Sequence, residues 1–495
     1  MRTLLSDPDE PRLSVLPDNE RPPEITGRQS LLPHGRMSVG RISVGRVSVL
    51  PATSMRMSIR ETKMRWFILF LACTANFGVY FCLSNPQALQ APIEDTLNIQ
   101  DTKFNLMHSF SNLPNTIVPF FGGAIMDMIG TRVTMVVLAG FVMIGQIITT
   151  FGGIFLNFDL MLAGRLVIGL GEATLELGLL TIIARWFLNK EMALAWGIAR
   201  TILRMGTALN SYLTPKLYAW TGLLYFPLLV GALLTILSFV CIILVMYYDR
   251  TAEQQEIQEE PEGGKHDLAD KILFKDIKRL PRLYFLLLGT GVLVYMTFIG
   301  FTNNVNNMLV RRFGFELEEA GSYITIIYLT AGSLSPLVGL LVDKIGKRAY
   351  CLMFAITILL TVHFHFLFLA DGTEGNPNYG VIPGFVGLGF FYAVFATNCW
   401  PCIPLIIEQV DNRMLGTACG LMSCLINGGI SLNMIILGFI HDESIDFHAG
   451  YFCTQLAHIA VAGGALTMII LAYREDKKVN GPLQKRRNLS ESGRK

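Results

Sequence analysis

Twelve stretches of predominantly apolar residues punctuate the chain, each near the length of about 20 residues that a helix needs to cross a hydrocarbon core. They run approximately 66–84, 104–126, 132–155, 160–187, 191–217 and 222–248, then 283–310, 319–342, 349–370, 383–407, 414–440 and 449–473. Residues 1–64 hold no such run and are rich in Arg, Ser and Pro. A disordered tail is expected there, not a cleaved signal peptide. Between the sixth and seventh runs lies a hydrophilic stretch, with Glu253, Glu256, Glu259, Glu260 and Glu262 followed by a Lys-rich portion. It reads as a linker between two six-helix halves. Within it, Leu268 to Arg279 has the pattern of a short amphipathic helix on the membrane surface. The pattern predicts an all-α polytopic membrane protein with twelve transmembrane helices. A tail (1–64) leads into a bundle (65–249), a linker (250–282), a second bundle (283–473) and a tail (474–495).

Composition agrees with this pattern. Of 495 residues, 52% are hydrophobic and 16% charged, against about 25% charged in an ordinary soluble domain. A net charge of +2 offers no broad basic field for nucleic acid. The nine cysteines all fall inside apolar runs, so no disulfide scaffold is implied. Cys399-Trp-Pro-Cys402 has redox spacing but sits in an apolar helix, where helix packing is the better reading. Nothing outside the helices resembles a nucleophile, a metal cluster or a phosphate loop. The chain therefore reads as no enzyme, with no cofactor and no metal. Arg132, Arg185, Lys190, Lys344, Lys347, Arg348 and Arg413 share one side of the bilayer with the Lys/Arg-rich C-terminal tail. The positive-inside rule makes that side, both termini and the linker cytoplasmic.

One pattern occurs in both halves, after the second helix of each. The first copy is Gly123-Ala-Ile-Met-Asp127-Met-Ile-Gly130-Thr-Arg132 and the second Gly339-Leu-Leu-Val-Asp343-Lys-Ile-Gly346-Lys347-Arg348. The first Gly would let helices approach closely, and the second would make a tight turn. The Asp would cap or pair at a helix end. The basic residue (Arg132, Lys347) would be a charge partner that breaks and reforms as the halves rock. A second string, Arg165-x3-Gly169-x-Gly171-Glu172-Ala173, lies in the fourth span. Together these motifs resemble the loop and helix signatures of the major facilitator superfamily, over about residues 65–475. That resemblance implies two pseudo-symmetric bundles around a central cavity with alternating access. The fifth span lacks the Gly-Pro signature of drug/proton antiporters, which ranks antiport lower.

Local strings narrow the resemblance. Asn85-Pro86-Gln-Ala88-Leu89-Gln90, Thr102-Lys103-Phe104, Pro114-Asn115, Phe121-Gly122-Gly123, Trp186-Phe187, Trp400-Pro401, Leu415-Gly416-Thr417-Ala418 and Asn427 are similar to the major facilitator superfamily domain-containing protein 1 family of lysosomal dipeptide transporters. What this implies is uniport of dipeptides, notably cationic ones, from lysosome to cytosol. It also implies a glycosylated lysosomal accessory membrane protein as partner.

Ionisable residues inside spans are costly and mark function by default. The fourth span carries Glu172 and Glu176, the fifth Arg200 and Arg204. Each pair is spaced i, i+4 and shares a helix face. Counting from the cytoplasmic ends puts Glu172 and Arg204 level at about 20 Å, and Glu176 and Arg200 level at about 14 Å. In one reading these charges are bridges that fix the bundle. In the other, Arg204 and Glu172 face the cavity and hold the carboxylate and amine of a dipeptide, an Arg fork suiting a carboxylate. Arg204 stands where the resembled family has an Arg. That family's Glu falls at Ala173 in an ungapped comparison, so the amine partner is Glu172 or Glu176, or is missing.

Tyr80, Asn115, Trp400 and Asn427 are further cavity candidates, each with packing as the alternative. Asn303, Asn304, Asn306 and Asn307 should line the lumenal part of the cavity, because lipid-facing amides would be unsatisfied. Arg165 is grouped with the gating residues and is expected to fix packing. His108, His363 and His365 are the candidates for proton coupling. In the N-terminal tail, Gly-Arg-x-Ser-Val repeats suit basophilic kinases, making Ser38, Ser43, Ser48 and Ser58 phosphorylation candidates. Leu31-Leu32 is a candidate sorting signal. The only Asn-x-Ser/Thr site is at Asn488 in the tail, so lumenal loops carry no glycan sequon. Two other readings stand beside the carrier of small zwitterions: a proton-coupled symporter or organic-anion transporter of the same fold, and a non-transporting scaffold or receptor.

Overall fold

A computed structural model of the chain describes residues 62–119, 129–187, 192–259, 279–373, 375–407, 415–444 and 447–478, with isolated positions besides. The described residues form fourteen helices. In the first half these are α1 (Met64–Leu83), α2 (Asn85–Ala88), α3 (Gln90–Leu97), α4 (Asp101–Asn115), α5 (Thr131–Ile154), α6 (Phe158–Trp186), α7 (Met192–Thr221) and α8 (Tyr225–Glu259). In the second they are α9 (Arg282–Arg311), α10 (Leu317–Ile345), α11 (Arg348–Phe368), α12 (Val381–Ile407), α13 (Leu415–Asp442) and α14 (Phe447–Lys478).

Two elements differ from the apolar pattern. The first span was expected to stop at residue 84. Instead the helix resumes as α2, with Pro86 in its first turn, and again as α3. Proline is tolerated in a first turn because its missing N–H has no intrahelical partner there. The chain therefore continues as a broken helix until Asn98, which closes it in the left-handed region. The sixth span runs past residue 248 through a charged end, where Asp249 accepts from Trp186 Nε1 at 3.1 Å.

Ten of the helices are long and apolar enough to cross a membrane. The two remaining apolar runs correspond to α4 and α7, which are the most polar. α4 carries Asn105, His108, Asn112 and Asn115, while α7 carries Arg200, Arg204 and Lys216. Their packing gives the reason. α4 lies along α13 and α7 along α10, so both sit at the junction between the halves. A helix shielded by the opposite bundle can hold polar groups that lipid would leave unsatisfied.

Glycines of the fourth-span signature set how closely α6 approaches its neighbours. A Cβ on Gly169 would collide with the Ser111 carbonyl of α4, and one on Gly171 with the Leu138 carbonyl of α5. Small residues at such crossings replace the hydrophobic drive that lipid removes. In the repeated loop motif the second glycines turn the chain: Gly130 has φ +93° and Gly346 φ +70°. The first glycine behaves otherwise than expected. Among the described residues nothing stands within 4 Å of where a Cβ on Gly339 would be, so no close helix approach is seen there, and Gly123 lies outside the described residues.

Candidate functional site

Between the halves lies a cavity of about 290 Å³. Its two walls differ. The first-half wall is charged. Arg165, Glu172 and Glu176 fall at i, i+7 and i+11 of α6 and so share one helix face within about 40°. Arg200 and Arg204 approach from α7, and Tyr80 from α1. The second-half wall is aromatic and amide-bearing: Tyr295, Phe298 and Asn303 of α9, Tyr328 of α10, Tyr392 and Trp400 of α12, Asn427 of α13.

The expected levels of charge are realised as one pair and two separate groups. Arg200 Nη1 donates to Glu176 Oε1 at 2.6 Å, and the Tyr80 hydroxyl donates to the other oxygen of Glu176. Glu176 is thus held on both sides. Glu172 accepts from Asn115 Nδ2 at 3.4 Å. Arg204 turns away from the carboxylates altogether. It donates to the Tyr392 hydroxyl of the opposite half, and its guanidinium lies 4.5 Å from that ring's centroid. A cation over a desolvated aromatic face gains about 2 kcal/mol or more. Tyr392 is held in turn by stacking on Phe298, with centroids 4.7 Å apart.

Of the eight residues singled out for substrate, seven line the cavity. Asn115 does not. It stands behind Glu172, donating also to the Ser111 carbonyl at 3.3 Å. Trp400 Nε1 donates to the Tyr295 hydroxyl at 2.9 Å, and Asn427 Nδ2 to the Ser423 carbonyl at 2.9 Å. Arg165, expected to serve packing, is a lining residue at 2% exposure. Its Nη2 donates to the Leu83 carbonyl at 3.1 Å, while Nε and Nη1 have no hydrogen-bond partner among the described residues. The tyrosines Tyr295, Tyr328 and Tyr392 escaped the sequence reading. The signal was there, since a phenol in the middle of an apolar span needs a partner for its hydroxyl.

Two groups of expected residues land elsewhere. Only Asn303 of the asparagine cluster lines the cavity. Asn306 and Asn307 instead reach across to the first half, Asn306 Nδ2 donating to the Ala88 carbonyl at 3.0 Å. His108 lines the cavity, but His363 is buried inside the second bundle against Gln455. Among the gating residues, Arg132 donates to Glu253 and, at 3.4 Å, to Asp249, tying α5 to α8 within one half. Lys347 takes a left-handed conformation, φ +50°, and the residue buried there is Arg348. Asp127, Ser38, Ser43, Ser48, Ser58, Leu31, Leu32 and the Asp343 side chain lie outside what the structure describes.

The fold and the two-walled cavity accord with comparisons to known proteins. The profile of the Major Facilitator Superfamily matches residues 65–306 and 291–492. The lysosomal dipeptide transporter MFSD1 of Mus musculus is 31% identical over 429 residues, covering 85% of this chain and 88% of the mouse protein. The chain belongs to the MFSD1 family of the major facilitator superfamily. It is a multi-pass membrane transporter and not an enzyme. The Bos taurus MFSD1 is 30% identical, with 85% and 87% coverage. Among solved structures, the peptide transporter POT in complex with sulfate superposes with a TM-score of 0.64 at 11% identity, over 84% of this chain and 96% of that one. At that identity the likeness speaks for the fold alone.

Proposed function

We propose that this transporter carries dipeptides by alternating access, exporting them from the lysosome to the cytosol as a uniporter. The observation that carries the reading is Arg204. It is a cavity arginine with no carboxylate hydrogen-bonded to it among the described residues, held by the ring and hydroxyl of Tyr392. A neutral phenol leaves guanidinium charge uncompensated, and a planar fork suits a substrate carboxylate. Glu172, which accepts from the Asn115 amide, is the complementary group for a substrate ammonium. Glu176 is already taken by Arg200 and Tyr80, which favours Glu172 for that role. The relatives' name supplies the substrate class, dipeptides, and the organelle.

The excess of Lys and Arg in the loops beside Gly130 and Gly346 orients that side toward the cytosol. The side bearing α3 then faces the lumen. A glycosylated lysosomal accessory protein completes the proposal, since no sequon lies in a lumenal loop. Flux of a dipeptide panel into proteoliposomes, with and without a pH gradient, tests it. Saturable uptake of dipeptides but not of free amino acids, with no gradient needed, is the expected result. Flux that collapses with the gradient would favour the symporter reading. Binding without flux would favour a receptor.

A further inference from the structure

On the side bearing α3 the two halves are bridged by a cluster of ionisable groups. Glu94 of α3 and Asp101 at the start of α4 are both buried and share the same hydrogen-bond donors. Two amides serve both. Gln90 Nε2 donates to Glu94 Oε1 at 2.8 Å and Asp101 Oδ1 at 3.2 Å. From the other half, Asn307 Nδ2 donates to Glu94 Oε2 at 3.1 Å and to Asp101 Oδ1 at 3.2 Å. Asn307 is itself fixed by Arg311 Nε, which donates to its Oδ1 at 2.8 Å. His441 Nδ1 lies 2.9 Å from Asp101 Oδ2. The asparagine cluster that is odd in an apolar span is thus the part of α9 that grips the first half.

Two largely buried carboxylates that share their donors cannot both stay ionised at low cost. A second observation points the same way. Gln90 and Asn105, at 0% and 2% exposure, line a small chamber with Asp101 and His441, and the acceptor oxygens Gln90 Oε1 and Asn105 Oδ1 have no donor among the described residues. Buried acceptors lacking a donor are rare, and a proton-bearing group in the chamber would satisfy one.

We propose that the Glu94–Asp101 pair is a proton-binding site that latches this side of the transporter shut. In the closed state the pair shares one proton, with Glu94 as donor and Asp101 as acceptor. Opening carries Asn307, Arg311 and His441 away with α9 and α13, exposes both carboxyls to water, and releases the proton to that compartment. Burial beside Asp101 holds the Glu94 carboxyl well above the ordinary carboxylate range. Proton affinity is therefore higher closed than open. Closure is favoured below the open-state value and is lost as pH rises through the closed-state value.

The other charges around the pair modulate this without reversing it. Asp95 beside it takes Arg311 Nη2 at 2.6 Å, leaving that nitrogen 3.5 Å from Glu94. Asp442 of α13 accepts from the Thr102 amide at 2.9 Å. Lys103 is exposed. Tyr451 and His458 of α14 complete the chamber. A protonated His441 would pair with Asp101 and also favour closure, so the test must separate it from the carboxyl pair.

The test is conformational and needs no substrate. The latch rests on the alternating-access reading but not on dipeptides, so a wrong substrate assignment leaves the result interpretable. Spin labels at Thr96 and Glu443, in a Cys453→Ser background of the full chain, report the width of this side by pulsed electron resonance. Wild type should shift from the short to the long distance as pH rises, with the population ratio changing about tenfold per pH unit at its steepest. Glu94→Gln, which keeps a donor in place of the proton, should stay at the short distance and change less than about twofold. Asp101→Asn should likewise flatten the response. A wild type whose distances do not respond to pH overturns the proposal. So does a response that survives Glu94→Gln, which would place the titration on His441.

Discussion

The two halves are built on one repeat, yet they meet the central cavity in different chemical terms. The first presents three arginines and two glutamates from α6 and α7. The second presents rings and amides from α9, α10, α12 and α13. The difference teaches a division of labour. Charge in a membrane interior must be neutralised locally or it costs several kcal/mol. In the first half, Glu176 is neutralised by Arg200 and capped by Tyr80. Arg204 is handed across to an aromatic partner, whose ring steadies a cation without cancelling it. One wall therefore stores charge and the other holds it ready.

The largest effect should come from removing the charge that joins the walls. Arg204→Ala should reduce dipeptide flux at least about 100-fold in proteoliposomes, since a desolvated bidentate contact exceeds a charge-assisted hydrogen bond of about 1.5–3 kcal/mol. Unchanged affinity and flux would show that the charged wall does not bind substrate. Next is the aromatic side of the same contact. Tyr392→Ala should lower flux about tenfold, while Tyr392→Phe, which keeps the ring and loses the hydroxyl, should cost about threefold. Equal losses in both variants would mean that the hydroxyl, and not the ring, steadies Arg204.

A smaller effect is expected at the internal pair. Arg200→Ala and Glu176→Ala should each lower thermal stability, and the double variant should recover part of the loss. A coupling of about 0.5–1 kcal/mol fits a pair whose arginine is half exposed. Additive losses would show that the two act independently. Least affected should be Trp400→Phe. It loses one hydrogen bond to Tyr295 but keeps the ring, and its apparent affinity should change about threefold or less.

Much of this was legible before the structure. The length of the apolar runs located the long helices, ten of which are long and apolar enough to cross a membrane, because a bilayer imposes one length on any helix. The i, i+4 spacing put Glu172 with Glu176 and Arg200 with Arg204 on shared faces. Depth counting matched Glu176 to Arg200, the pair that forms. The same count matched Glu172 to Arg204, which do not pair, because counting along a helix fixes height but not the direction a side chain takes around it. Arg204 was free to turn toward the second half, and nothing in the first half's residues announced Tyr392.

The asparagines of α9 make the same point. Their presence in a span required partners, as the sequence showed. That those partners are Glu94, Asp101 and the Ala88 carbonyl depends on the helix break at Ser84–Leu89, which carries α2 and α3 over the junction. Sequence alone thus determined what this protein could not avoid: its membrane class, its twelve apolar runs, its family and the presence of costly charges within spans. Only the tertiary structure decided which charge meets which partner. Pairing across two bundles depends on helix rotation, on breaks such as that before α2, and on residues hundreds of positions apart, and no local pattern encodes these.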